Sequence, residues 1–212
     1  MAALDLREQE QLDALKAWWK DNGTWLLSML LIVAAIFAGW RGWQYYQHKQ
    51  SGDAATLYQQ FTLQLGSNDS RRINDAAAVL MDKYAASAYA ARAALEAAQV
   101  NEQSKDAVRA KTQLQWVIDH VKEATLKDVA RLRLAAVLLN EQNYAAALQQ
   151  LDAQHPASFD GLYADLKGDV LSAQGKPGEA RAAYQIAYDK TEAKSAYRNL
   201  IQMKLDALGD GK

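Results

Sequence analysis

The chain begins with a block that has no polar face and continues with blocks that have one. From Asn22 to Trp40, 19 consecutive residues carry no charge. At 1.5 Å rise per residue such a helix is ~28 Å long, close to the ~30 Å hydrocarbon thickness of a bilayer. A buried core helix would keep a polar stripe, and this segment shows none. A secretory signal would combine a short basic start with a small-x-small cleavage site. Here the 21-residue leader holds five acidic and three basic side chains, and Ala38-Gly39-Trp40-Arg41-Gly42-Trp43 is a poor cleavage site. The reading is a short leader over 1–21, an uncleaved transmembrane helix over 22–43 and a water-soluble domain over 44–212.

The flanks fit an anchor. Five of the six Trp lie within residues 18–43, and Tyr45 and Tyr46 follow. Amphipathic aromatics collect at membrane–water interfaces. Arg7, Lys16 and Lys20 precede the span, whereas Arg41 and Lys49 follow it. That is a faint bias toward an N-terminus inside. Within the span Ala34, Ala38 and Gly42 form one ridge of small residues, with Ala35 and Gly39 on the next. Small residues at this spacing let a second helix approach closely, and they are also common in such helices generally.

Beyond the span the apolar positions recur with helical spacing. Gly52 is expected to end or bend the helix leaving the membrane. Residues 53–65 place Leu57, Phe61 and Leu65 on one face. Gly66-Ser67-Asn68-Asp69 reads as a turn. Further helices are expected over 70–84, 89–100, 106–120, 126–141, 144–153, 159–173, 177–189 and 195–208. Residues 101–105 read as a loop, Pro156 as a stop, and 209–212 as a fraying tail. No strand pattern survives, so the fold class is all-α, either stacked helical hairpins or an irregular bundle.

A repeat favours the stack. Ala135 and Leu138 are followed by Ala147 and Leu151; Gly168 and Leu171 are followed by Ala180 and Tyr184. The small residues stand 12 apart within each unit, and the units are offset by 33. Two helices that cross closely need small contact points, and one pair cannot bury both its faces, so neighbours must stack. This is the tetratricopeptide-like pattern of a helical-hairpin solenoid. The earlier pairs are worn: Ala98 stands 12 before Ala110, but Asn101 follows where an apolar residue belongs.

Composition agrees. Ala is 41 of 212 residues and Pro occurs twice, which favours helix. Residues 44–212 hold 20 Lys+Arg and 20 Asp+Glu, so the basic excess expected of a nucleic-acid partner is missing. Cys is absent, which excludes disulfide and thiol chemistry.

The chain resembles the YfgM family of ancillary subunits of the bacterial Sec translocon. The resemblance is carried by Glu8-Gln9-Glu10-Gln11-Leu12-Asp13-Ala14-Leu15-Lys16, by Trp40-Arg41 and Trp43 after the span, and by Ala130-Arg131-Leu132-Arg133-Leu134-Ala135. It continues in Leu148-Gln149-Gln150-Leu151-Asp152 and in Gly168-Asp169-Val170-Leu171 with Ala180-Arg181. It implies a single-pass protein of the bacterial inner membrane, N-terminus cytoplasmic and C-terminal domain periplasmic. It implies association with the SecYEG translocon and with the membrane-anchored periplasmic chaperone PpiD, and help in handing emerging proteins onward. The family offers no catalytic residues to carry over, and no cofactor.

The residues themselves show no reaction centre. His48, His120 and His155 are scattered, without a second ligand at metal spacing. No Ser sits in a nucleophile elbow. The expectation is a non-enzymatic adaptor. In a tetratricopeptide array the first helix of each pair lines a groove. By register Arg133, Ala136, Leu139 and Asn140 would face it from one unit, and Asp165, Leu166, Asp169 and Ser172 from the next. A scaffold for another envelope complex and a direct holdase for unfolded client proteins are the alternative readings.

Overall fold

The computed structural model describes residues 2–67 and 69–209, with side chains from residue 10 onward. Asn68 of the expected turn and residues 210–212 of the expected tail lie outside the described residues. Every regular element among the described residues is a helix. The chain divides into two compact units, 1–50 and 51–212.

The first unit is the N-terminal part of helix α1 (Ala2–Leu65), whose last residues belong to the second unit. Its apolar side chains stand exposed: Leu30, Leu31, Ile36 and Phe37 are each more than half accessible. A helix of this length and hydropathy is long and apolar enough to cross a membrane. Gly52, expected to end or bend it, does not end it. One glycine costs a helix interior only ~1 kcal/mol relative to alanine. Thr56 also donates its hydroxyl to the Gly52 carbonyl at 3.1 Å and keeps that turn closed.

The second unit adds α2 (Ser70–Lys83), α3 (Ala88–Gln103), α4 (Ala107–His120), α5 (Ala124–Asn140) and α6 (Tyr144–Leu151). A 3-10 turn (Ala157–Phe159) leads into α7 (Asp160–Ala173), then α8 (Pro177–Lys190) and α9 (Ala196–Ala207). Short polar side chains start several of them. Asp69, Ser87, Asp106, Asn143 and Ser195 each accept a hydrogen bond from a first-turn amide. Pro177 opens α8, where its missing N–H is harmless.

From α2 onward each helix packs on the next, and α3 also touches α5 as α5 touches α7. This is the contact pattern of stacked hairpins rather than of a bundle wrapped round one centre. The turns inside three pairs are the same. Lys105, Gln142 and Gly175 sit at φ 60°, 59° and 73°. In each case the following amide returns to a carbonyl five residues back: Asp106 to Asn101 at 2.8 Å, Asn143 to Leu138 at 2.8 Å, Lys176 to Leu171 at 3.0 Å. The worn α3–α4 pair is therefore a true third copy, with Asn101 at the place of Leu138 and Leu171.

That position explains a second correction. Residues 101–103 are helix, not loop, and Asn101 is buried with 1% of its surface accessible. Its amide nitrogen donates to Asn74 at 2.8 Å and to Gln113 at 2.7 Å, while its oxygen accepts from Asn74 at 2.9 Å. Gln113 closes the ring by donating to Asn74 at 2.7 Å. Three amides from α2, α3 and α4 satisfy one another around the buried Asn101.

A close approach joins α7 and α8. A Cβ added to Gly168 would overlap the Tyr184 ring. The atom group pressing on Gly168 is thus Tyr184, not only the expected Ala180. One unit earlier the same two positions are Ala135 and Leu151, both buried. A methyl gained on one helix matches a smaller side chain on the other. We expect Gly168→Ala to destabilise the domain by ~1–3 kcal/mol through overpacking. Adding Tyr184→Leu should leave the pair less destabilised than the two single effects summed, by at least ~1 kcal/mol, in a urea-denaturation double-mutant cycle.

Candidate functional site

The first helices of the pairs carry the groove residues expected from the sequence, and the structure divides them. Arg133 of α5 is half-buried. It donates to the Leu95 carbonyl at 2.9 Å and pairs with Glu102 at 3.0 Å, so its guanidinium ties α5 to α3. Ala136, Leu139, Leu166 and Ser172 are half-buried, and Asn140 is exposed. Asp165, placed on the groove face by register, is only 3% accessible.

Asp165 is covered because α9 lies over it. Its Oδ2 accepts from the Tyr197 hydroxyl at 2.6 Å and from Lys204 at 2.8 Å. Asp169 accepts from the Tyr184 hydroxyl at 2.7 Å and from Lys204 at 2.9 Å. One ammonium thus bridges two carboxylates one helical turn apart. A related contact recurs one unit earlier, where the Tyr163 hydroxyl points at buried Asp128. The three charged groove candidates are therefore occupied within the domain, joining neighbouring first helices.

Burial, and then the hydrogen bonds to Asp169 and Asp165, raise the Tyr184 and Tyr197 phenols well above their ordinary value. Burial also pushes Tyr163 and Tyr58 up to about 12. For Lys204 burial alone acts downward, but its two carboxylates outweigh it and the net shift is upward.

The second helices hold a surface that the sequence reading missed. Between α2 and α4 lies a basin of about 310 Å³ lined by Arg71, Asp75, Arg109 and Thr112. A larger basin of about 600 Å³ follows, lined by Trp116 and His120 of α4 and floored by Leu134 and Leu138 of α5. Met81 and Thr112 line both, so the two form one furrow. Trp116 stacks on His120 with centroids 5.0 Å apart. The available signal was Trp116 itself, the one Trp outside residues 18–43.

In the first unit Ala34, Ala35, Ala38, Gly39 and Gly42 are all exposed. A Cβ built on Gly39 or Gly42 meets nothing within 4 Å.

Comparison with known proteins decides the family. The tetratricopeptide repeat-like domain family matches residues 16–210. An ancillary SecYEG translocon subunit of Neisseria gonorrhoeae is 34% identical over 97% of this chain and 99% of its own. The chain belongs to the family of ancillary SecYEG translocon subunits. The subunit of that name from Escherichia coli is 29% identical over 95% of this chain and 96% of its own. The one from Haemophilus influenzae is 27% identical over 97% and 100%. No solved structure matches. As a translocon-subunit family member, the chain carries the tetratricopeptide-like fold that its repeats predicted.

The raised phenol and ammonium values set an alkaline limit. A group raised in the fold keeps its proton there after the unfolded chain has lost it. Its stabilisation is complete below the unfolded value, about 10 for Tyr and 10.4 for Lys, and is lost as pH rises toward the folded value. The urea midpoint should hold steady from pH 8 to 9.5 and then fall toward pH 11.5. Lys204→Met should lower the unfolding free energy at pH 8 by ~2–3 kcal/mol, less than for a fully buried pair because Lys204 is partly solvated. It should also flatten the alkaline fall.

Proposed function

We propose that this chain is a single-pass adaptor of the bacterial inner membrane that works beside the SecYEG channel. Its leader, residues 1–21, is cytoplasmic, residues 22–43 span the bilayer, and residues 44–212 form a periplasmic domain. It holds the membrane-anchored chaperone PpiD near the channel and assists hand-over of translocated client proteins. The observation that carries this reading is similarity to the translocon subunits over span and domain together. The basic residues Arg7, Lys16 and Lys20 before the span support the orientation.

In this reading the span does more than tether. The ridge Ala34, Ala38 and Gly42, with Ala35 and Gly39 beside it, offers a surface on which a partner's membrane helix can pack closely. The domain adds soluble contacts from its first helices, through Ala136, Leu139, Asn140, Leu166 and Ser172. Arg133, Asp165 and Asp169 keep those helices in register.

The test is purification of the tagged full chain from membranes in mild detergent, with immunoblots for SecY and PpiD. Both should co-elute. Leu in place of Ala34, Ala38 and Gly42 together should cut the recovered SecY or PpiD several-fold while the chain stays in the membrane. Elution free of both proteins, with another envelope complex enriched, would replace this reading by the scaffold alternative. An alkaline phosphatase fused after Leu208 should be active, as expected for a periplasmic C-terminus.

A further inference from the structure

The end of the array holds a seat that its own last helix fills. On α7 the seat presents Asp165 and Asp169, one helical turn apart, and on α8 the Tyr184 hydroxyl that donates to Asp169. Into it α9 lays Tyr197, Ile201, Lys204 and Leu205, the i, i+4, i+7 and i+8 positions of one helix face. Negative charge is in excess there. Among the described residues only Lys204 lies within ion-pair distance of either carboxylate. Both hydrogen bonds to Asp165 go to Oδ2, while its Oδ1 is buried without a partner. A carboxylate oxygen withdrawn from water and left unpaired is costly, so α9 satisfies its own seat incompletely.

α9 is also held more lightly than the helix it covers. Ile201 and Leu205 are its two buried residues, against six in α7. Its other side exposes Leu200 and Met203. The connection from α8 runs through Glu192, Ala193 and Lys194, all exposed. Arg198 rests on the Tyr188 ring at 3.9 Å and donates to the Thr191 carbonyl at 3.3 Å, so the start of α9 is tied to the end of α8. The rest of its hold is two apolar side chains and the polar grip of Tyr197 and Lys204. Terminal elements with few buried apolar groups open at a lower free energy than the core does.

We propose that α9 is an exchangeable latch, and that the seat beneath it takes an amphipathic helix of a partner protein carrying Lys or Arg. The template is α9 itself: an aromatic residue, an apolar residue four later, the cation seven later and an apolar residue after it. Two carboxylates facing one ammonium select a cationic helix over an acidic one. Arg suits the seat at least as well as Lys, because a guanidinium offers five N–H donors where an ammonium offers three. While α9 is down it hides both acids; when it lifts, the partner's helix takes its place. The inference deepens the adaptor reading and rests on it only for the natural partner's identity.

The experiment uses the full chain in lipid nanodiscs. Amide hydrogen exchange should be at least tenfold faster in α9 than in α7. The chain has no Cys, so a single introduced thiol reports alone. Maleimide should label Ile201→Cys at least tenfold faster than Val117→Cys, which is equally buried in α4. A fluorescent peptide with the sequence of residues 195–208 should bind the unaltered chain. It should bind at least fivefold more tightly to Lys204→Met, where the latch is weakened and the seat intact. Changing the peptide's own lysine to Glu should weaken binding at least tenfold, and changing it to Arg should not weaken it. Hydrogen exchange and the peptide changes use the unaltered chain, so the idea can fail even where a variant unfolds. Protection of α9 equal to that of α7, no peptide binding to either chain, or binding indifferent to the Lys-to-Glu change overturns the proposal. So does sedimentation showing a dimer that the peptide dissociates, which would give the seat to a second copy. SecY recovery in the purification above is a separate readout, so either idea can fail alone.

Discussion

The helical domain depends on how closely two paired helices can approach. Alanine supplies close to half of its buried apolar positions, and Gly168 goes further by leaving room for a tyrosine ring. Small contact points bring backbones together, so larger side chains such as Leu114, Leu134 and Ile201 can fill the space around them. Without that approach neither face of a pair is covered, and stacking would bury little. The same constraint accounts for the offset of 33 between the two clearest units, since each must return its small residues to the same crossing point.

Close packing alone sets distance, not register. Register comes from polar groups that have one satisfactory arrangement. Asn74, Asn101 and Gln113 can all be satisfied only together. Lys204 can reach Asp165 and Asp169 only when α9 lies correctly along α7. Such groups add little net stability while they are paired and cost much when one partner is removed. They make a sliding or shifted array expensive in a way that interchangeable alanines cannot.

Much of this was legible from residue types. The uncharged run from Asn22 to Trp40 and the Gly168–Ala180 unit both act through local chemistry, which the sequence displays directly. Asn101 misled because a buried amide looks the same in sequence as a loop residue until its partners are known. Gly52 misled because a lone glycine weakens a helix without obliging it to stop. At the candidate site Asp165 and Asp169 fell on the predicted helix faces, but α9, some 30 residues away, covers the first and claims both. The furrow beside Trp116 was invisible because it is made by helices adjacent only after folding.

The amide ring also sets one pair apart from the others. Leu138 and Leu171 stand where Asn101 does, and they ask nothing specific of their neighbours. At this one position the α5–α6 and α7–α8 pairs are alike, and the α3–α4 pair is not. The junction of α2, α3 and α4 cannot be copied or moved without all three amides. Asn101 therefore ties the α3–α4 pair to its one place in the array.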